Sequence, residues 1–190
     1  MKWEDFERFN QLLDEAIMKY KDQITIYKGF ECEYYPEALD FYRKVINEYG
    51  YSVMVLGQHR CGENRRYNAF GNMNKEALEI YAETVCEALR SGFFSYLAHP
   101  DVFLFSYQKF DRHAEKALRT IYKTCEELNI PIEINGFGYH SGRPYPNFDA
   151  LKISKESAPS QTIIGVIRLN PLFFNNSIST SAISFSTSVN

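Results

Sequence analysis

What most constrains this chain is an alternation: five short apolar, β-rich runs are separated by helical stretches, and no other repeat is visible. The first stretch places Trp3, Phe6, Phe9, Leu12, Leu13, Ala16, Ile17 and Tyr20 at spacings of three and four between polar residues, which predicts an amphipathic helix. The run ITIYKGFE follows from Ile24, with Tyr27, Gly29 and Glu31 on one face of a strand. Pro36 opens a second helix that closes at Gly50. The same unit then recurs. SVMVLGQH from Ser52 precedes a helix from about Asn74 to Gly92, and FFSYLAHP precedes a helix with Asp111 as its N-cap. IPIEIN and TIIGVI, separated by a short helix from about Phe148 to Lys155, complete the set. Five strands joined through helices predict an α/β fold with a parallel sheet and right-handed crossovers, either open or curled as part of a β/α barrel.

A length of 190 residues fits one domain, which domains of about 100–200 residues make the ordinary expectation. From Leu169 to Asn190 the sequence carries no charge and is rich in Ser, Thr and Asn, so residues 169–190 are expected to form a poorly ordered tail on a domain spanning 1–168. Net charge is −3, which leaves no basic face for nucleic acid. No apolar run approaches the roughly 20 residues of a membrane helix. Cys32, Cys61, Cys86 and Cys125 form no C-x-x-C pair and no apolar leader is present, so the expectation is a reduced, cytoplasmic protein. The 14 Tyr and 15 Phe suit half-buried positions with one wet edge, as in a cleft.

In parallel α/β folds, chemistry gathers at the carboxyl ends of the strands, where the loops converge. Those ends carry Glu31 and Glu33, then His59 with Arg60, then His99 with Asp101, then Glu133 and Asn135. A lone histidine such as His113, inside a charged helix, reads as structural. His59 and His99 fall at equivalent strand ends, beside the small residues Gly57 and Ser95, and spacing alone leaves metal ligation and a structural role open. Histidine with carboxylate suits Zn, Mn or Fe, and a pair of such ions can activate water and clamp a phosphoryl group. After the fourth strand, GYHSGRPYPN carries His140 and Arg143 in a loop stiffened by Gly and Pro, and the planar guanidinium matches a phosphate dianion. A solvated loop arginine is the other reading. RCGENRRYN, with Arg60, Arg65 and Arg66, is a weaker phosphate candidate and reads first as a solvated charge run.

Together these segments resemble the PHP (polymerase and histidinol phosphatase) superfamily, in its histidinol-phosphatase branch. GFECEYYPE is similar to the family's Gly-x-Glu-x-Asp/Glu segment, LGQH to its third-strand histidine motif and YLAHPD to its His-Pro-Asp motif. IEINGFG with GRPYPN and ALKISKES resembles its substrate loop and following helix, so the similarity runs in order from about Ile24 to Val166. The resemblance implies a distorted (β/α)7 barrel, here incomplete with about five parallel strands, and a cluster of divalent ions that hydrolyses L-histidinol phosphate in histidine biosynthesis. It makes Glu31, His59 and His99 the metal-binding, catalytic residues. Arg143 becomes the phosphate-binding group, His140 standing where the family has another Arg, and His140 and Arg60 remain further phosphate candidates from their own segments. The family's opening His-x-His has no counterpart in this sequence, and its closing Asp-x-His is replaced by Ile167 and Leu169 in GVIRLNP.

The expectation is therefore a metal-dependent phosphomonoesterase that holds fewer ions than the complete family and turns over little or no histidinol phosphate. Its partner would be a small phosphorylated metabolite, and the sheet edges near Ile24 to Phe30 and Thr162 to Val166 invite homo-oligomers. The alternatives are a PHP-type phosphoesterase for another phosphate ester and a non-catalytic remnant.

Overall fold

The computed structural model describes residues 3–157 and 163–166. Helix α1 (Trp3–Tyr20) is followed by β1 (Gly29–Cys32), a single helical turn (Pro36–Ala38), α2 (Leu39–Tyr49) and β2 (Val53–Leu56). A small antiparallel hairpin, β3 (Arg60–Cys61) and β4 (Tyr67–Asn68), leads to α3 (Lys75–Arg90) and β5 (Tyr96–Leu97). Then come α4 (Leu104–Tyr107), α5 (Arg112–Leu128), β6 (Ile132–Asn135), α6 (Gly136–His140), α7 (Phe148–Ser157) and β7 (Ile163–Val166). The five long-range strands make one parallel sheet in the order β1-β2-β5-β6-β7, so spatial order follows chain order. The sheet is open among the described residues, with β1 and β7 at its edges. No described helix is long and apolar enough to cross a membrane. The expected tail, residues 169–190, lies outside the described residues.

Burial splits the sheet into two faces because strand side chains alternate. Met54, Leu56 and Leu97 join the main core with the helices, whereas Val55 packs with Tyr96 and Ala98 on the opposite face. Helices α3 and α5 fill that main core with Leu78, Tyr81, Val85 and Leu89 against Leu118, Ile121 and Tyr122. The buried residues of the two helices include the small Ala82, Ala114 and Ala117. Both helices begin as the sequence predicts. The Asn74 side chain accepts from Ala77 N, and Asp111 accepts from His113 N and Ala114 N. Gly50 closes α2 in the left-handed conformation.

Three expectations are corrected. The first strand starts at Gly29 rather than Ile24, and Ile24 and Tyr27 are exposed. Ladder bonding begins where Lys28 O accepts from Ser52 N and Val53 N, while the Lys28 ammonium is drawn to Asp14, Asn10 Oδ1 and Tyr49 O. The Lys28 side chain thus ties the start of the strand to α1 and α2. The third strand pairs over Tyr96–Leu97 alone, although flanking bonds from Ser95 N to Met54 O and from Ala98 N to Leu56 O continue the alignment. Finally, α1 buries only part of its apolar stripe. Phe6 is 2% exposed among the rings of Phe30, Phe41, Tyr49 and Tyr51, but Phe9 and Leu12 are 41% and 51% exposed. The helix sits over the edge of the sheet, so half of its stripe has no described layer to pack on.

This asymmetry is measurable by urea unfolding. Phe6→Ala should cost about 3–5 kcal/mol, whereas Leu12→Ala on the same stripe should change stability by less than about 0.5 kcal/mol. Comparable costs for the two would show that the outer stripe is covered.

Candidate metal centre

The parallel register converts three separate motifs into one site. Glu31 pairs across the ladder with Val55, so its side chain leaves the sheet on the face opposite the main core. It then lies over Gly57, where any Cβ would collide with the Glu31 carboxylate. A glycine at the end of β2 is therefore what makes room for an acid at the end of β1. His59 and His99 follow the ends of β2 and β5, and their ring centroids are 5.0 Å apart. One ligand atom from each of Glu31, His59 and His99 can be chosen so that all lie within 4.8 Å of one another. Among the described residues this is the one group of three or more such side chains with that spacing.

Each imidazole has a carboxylate behind or beside it. Glu33 Oε1 lies 3.5 Å from His59 Nδ1, while its Oε2 accepts from the Tyr35 hydroxyl at 2.6 Å and from Arg60 N at 3.0 Å. A carboxylate on this side of a ligand ring favours the tautomer protonated at Nδ1 and biases the ring's orientation. His99 is held through its backbone: Glu133 Oε2 accepts from His99 N at 2.9 Å, and Asn135 Nδ2 donates to Glu133. The His99 backbone has φ +31°, a conformation costly for a residue with a side chain and found where function fixes geometry.

The electrostatics match. The His99 ring facing Glu31 holds its carboxylate below the usual range against the opposing effect of burial, and His59 adds to the lowering. Burial opposes the charged His99 ring, but Glu31 and Glu133 outweigh it and raise its pKa. Burial raises Glu133, and pushes Asp101 up to about 6. Cys32 and Cys61 are pushed up to about 12, chiefly by burial, so neither offers a ready thiolate here.

The donor set fits a divalent ion. His99 is 7% exposed, yet its Nδ1 has no hydrogen-bond partner, and its Nε2 is 3.5 Å from Glu31 Oε1, long for a hydrogen bond. Two imidazoles and a carboxylate are the ligands that zinc and its neighbours take, with three protein ligands leaving a position open.

Beside the cluster stands a wall of rings. Phe70 stacks on His59 at 5.2 Å, and Phe105 meets Phe70 edge-on at 5.2 Å. Tyr145 packs edge-on to His99 at 6.2 Å and accepts a 2.7 Å hydrogen bond from Arg143 Nη1. The Arg143 guanidinium lies over the rings of Phe137, Phe105 and Tyr145, at 4.9, 5.8 and 5.8 Å, and no carboxylate pairs with it among the described residues. Arg65 and Arg66, by contrast, are bound to Glu37 and Glu76 and lie over Tyr35 and Tyr67.

Arg60 joins the site through its main-chain N–H, while its exposed side chain lines a separate groove of about 670 Å³ with Tyr35, Arg65 and Glu87, which none of the three candidate ligands lines. His140 does not sit in a loop as the sequence suggests. It ends α6, exposed, with its ring against Tyr139. The contributions of Tyr145 and Phe70 are missed in the sequence, where neither stands at a strand end. Glu33 and Glu133 are visible there as strand-end acids, but their task of holding the histidines is not.

The sequence matches no protein-family model and no curated protein. Solved structures do match. A candidate histidinol phosphatase, hisK, of Listeria monocytogenes superposes with a TM-score of 0.63 at 19% identity, covering 87% of this chain and 72% of that one. The histidinol phosphate phosphatase HISK of Lactococcus lactis subsp. lactis Il1403, crystallised with Zn, L-histidinol and phosphate, gives 0.62 at 14% identity over 83% of this chain. The chain spans 65% of that second structure's length. The fold of this chain is similar to that of these two histidinol phosphatase structures.

Proposed function

We propose that this chain is a metal-dependent phosphomonoesterase of the histidinol-phosphatase type, built on an incomplete PHP barrel and working with fewer ions than a complete member. The observation that carries the reading is the convergence of Glu31, His59 and His99 at three adjacent strand ends, with a buried His99 nitrogen left unbonded. A divalent ion held there would supply Lewis acidity and lower the pKa of water. The chain's own residues do the rest. Glu33 orients His59, Glu133 holds the His99 backbone, and the rings of Phe70, Phe105 and Tyr145 line one side of the site. Arg143, unpaired with any described carboxylate, donates to the phosphate oxygens, for which its fork of N–H groups is suited. A neighbour holding Zn, L-histidinol and phosphate supports L-histidinol phosphate as the substrate to test first. The partner would then be a small phosphorylated metabolite of histidine biosynthesis.

With three ligands in the group, turnover of histidinol phosphate should depend on added Zn or Mn, stay well below about 1 per second, and vanish in the double variant His59→Ala, His99→Ala. A metal-independent rate, or one untouched by the double variant, would overturn the reading. Phosphate binding should depend on Arg143 ahead of Arg60, Arg65 and Arg66. Arg143→Ala should weaken inorganic phosphate at least about tenfold, with Arg65→Ala and Arg66→Ala close to wild type. The opposite ranking would place the phosphate at the hairpin.

A further inference from the structure

We propose that Asp101 is the positioning residue for Arg143: its buried carboxylate pins the 143–147 loop to the turn that carries His99. The inference rests on the reading of Arg143 as the phosphate-binding group. Asp101 is 3% exposed, and its Oδ2 accepts from Asn147 N at 2.6 Å. It stands two residues after His99 in a turn closed by Val102 N donating to His99 O and Leu104 N donating to Asp101 O. One turn therefore carries both a candidate ligand and the anchor of the neighbouring loop.

The loop is tied at both ends. Arg143 N donates to Gly138 O at 2.9 Å, and Asn147 N donates to Asp101. Between them Tyr145, 3% exposed, packs against His99 and presents its hydroxyl to Arg143. Gly138 has no room for a Cβ under the Tyr145 carbonyl, so the loop cannot slide toward α6. On the other side, the Asn147 side chain accepts from Asp149 N and Ala150 N and starts α7. A buried carboxylate is a costly way to hold a main-chain N–H. Its use here follows if the position of the guanidinium relative to His99 must be fixed, since a charged acceptor gives the shorter and stiffer bond.

A double-mutant cycle on the zinc-loaded full chain tests this, with inorganic phosphate as the probe and calorimetry as the readout. Asp101→Leu should weaken phosphate about tenfold while bound zinc, measured by elemental analysis, stays unchanged. Asp101→Asn, which keeps an acceptor oxygen, should recover most of the affinity. In the Arg143→Ala background, Asp101→Leu should add less than about twofold, because residues acting through one another do not add. Asn147→Pro, which removes the N–H, should reproduce the loss, and Asn147→Ala, which keeps it, should not. This second pair decides the matter if Asp101→Leu fails to fold. Wild-type affinity in Asp101→Leu or Asn147→Pro, or losses that multiply with Arg143→Ala, would overturn the proposal. If Arg143→Ala alone leaves phosphate binding unchanged, the phosphate reading of Arg143 fails and this inference falls with it.

Discussion

The site depends on the parallel ladder between β1, β2 and β5, because the register of those strands decides which side chains meet. Gly29 to Cys32 pair with Val53 to Leu56, and Val55 and Leu56 pair with Tyr96 and Leu97. A slip of one residue would turn Glu31 to the opposite face, since side chains alternate along a strand. The buried residues Leu56 and Leu97 on one face and Val55 with Tyr96 on the other hold that register by their packing. The packing that holds this register therefore also sets where Glu31, His59 and His99 lie.

The second constraint is charge. Glu31, Glu33 and Glu133 lie beside His59 and His99, and Asp101 follows His99 in the same turn, so the strand ends hold more acid than base. Glu133 and Asp101 are buried, Glu33 is half-buried and Glu31 is exposed, and an acid taken out of water raises the cost of folding unless it has a partner. Glu33 and Glu133 meet that cost with hydrogen bonds to Arg60, Tyr35, His99 and Asn135. Glu31 has only the long contact to His99, which leaves it the acid best placed to receive a cation. Arg143, the basic group across the Tyr145 ring, is held by rings and a hydroxyl rather than by an acid, and so keeps donors for an anion.

Much of this could be read before the structure, because strand-end positions follow from strand runs. Glu31, His59 and His99 are visible as equivalent strand-end residues, and the structure brings them together. The caps Asn74 and Asp111 are local signals, and both form. What escaped the sequence depends on contacts between distant segments. The exposed half of α1 follows from its place at a sheet edge, which periodicity cannot report. The β3-β4 hairpin hides in a charged run, yet it leads into the turn where Phe70 stacks on His59. The first strand starts late, at Gly29, just after Lys28 bonds to Asp14 and Tyr49, partners that only the folded chain brings near. The role of Tyr145 likewise exists only once the loop after α6 lies against the turn after β5.

The central claim is that two histidines and one carboxylate, from three adjacent strand ends, hold one divalent ion. X-ray absorption at the zinc edge of the zinc-loaded chain reads those ligands directly. The account predicts nitrogen and oxygen neighbours at about 2.0–2.1 Å, the outer-shell pattern of two imidazoles, and the loss of one imidazole in His99→Ala. A sulfur neighbour at about 2.3 Å, or a spectrum unchanged by His99→Ala, would contradict it.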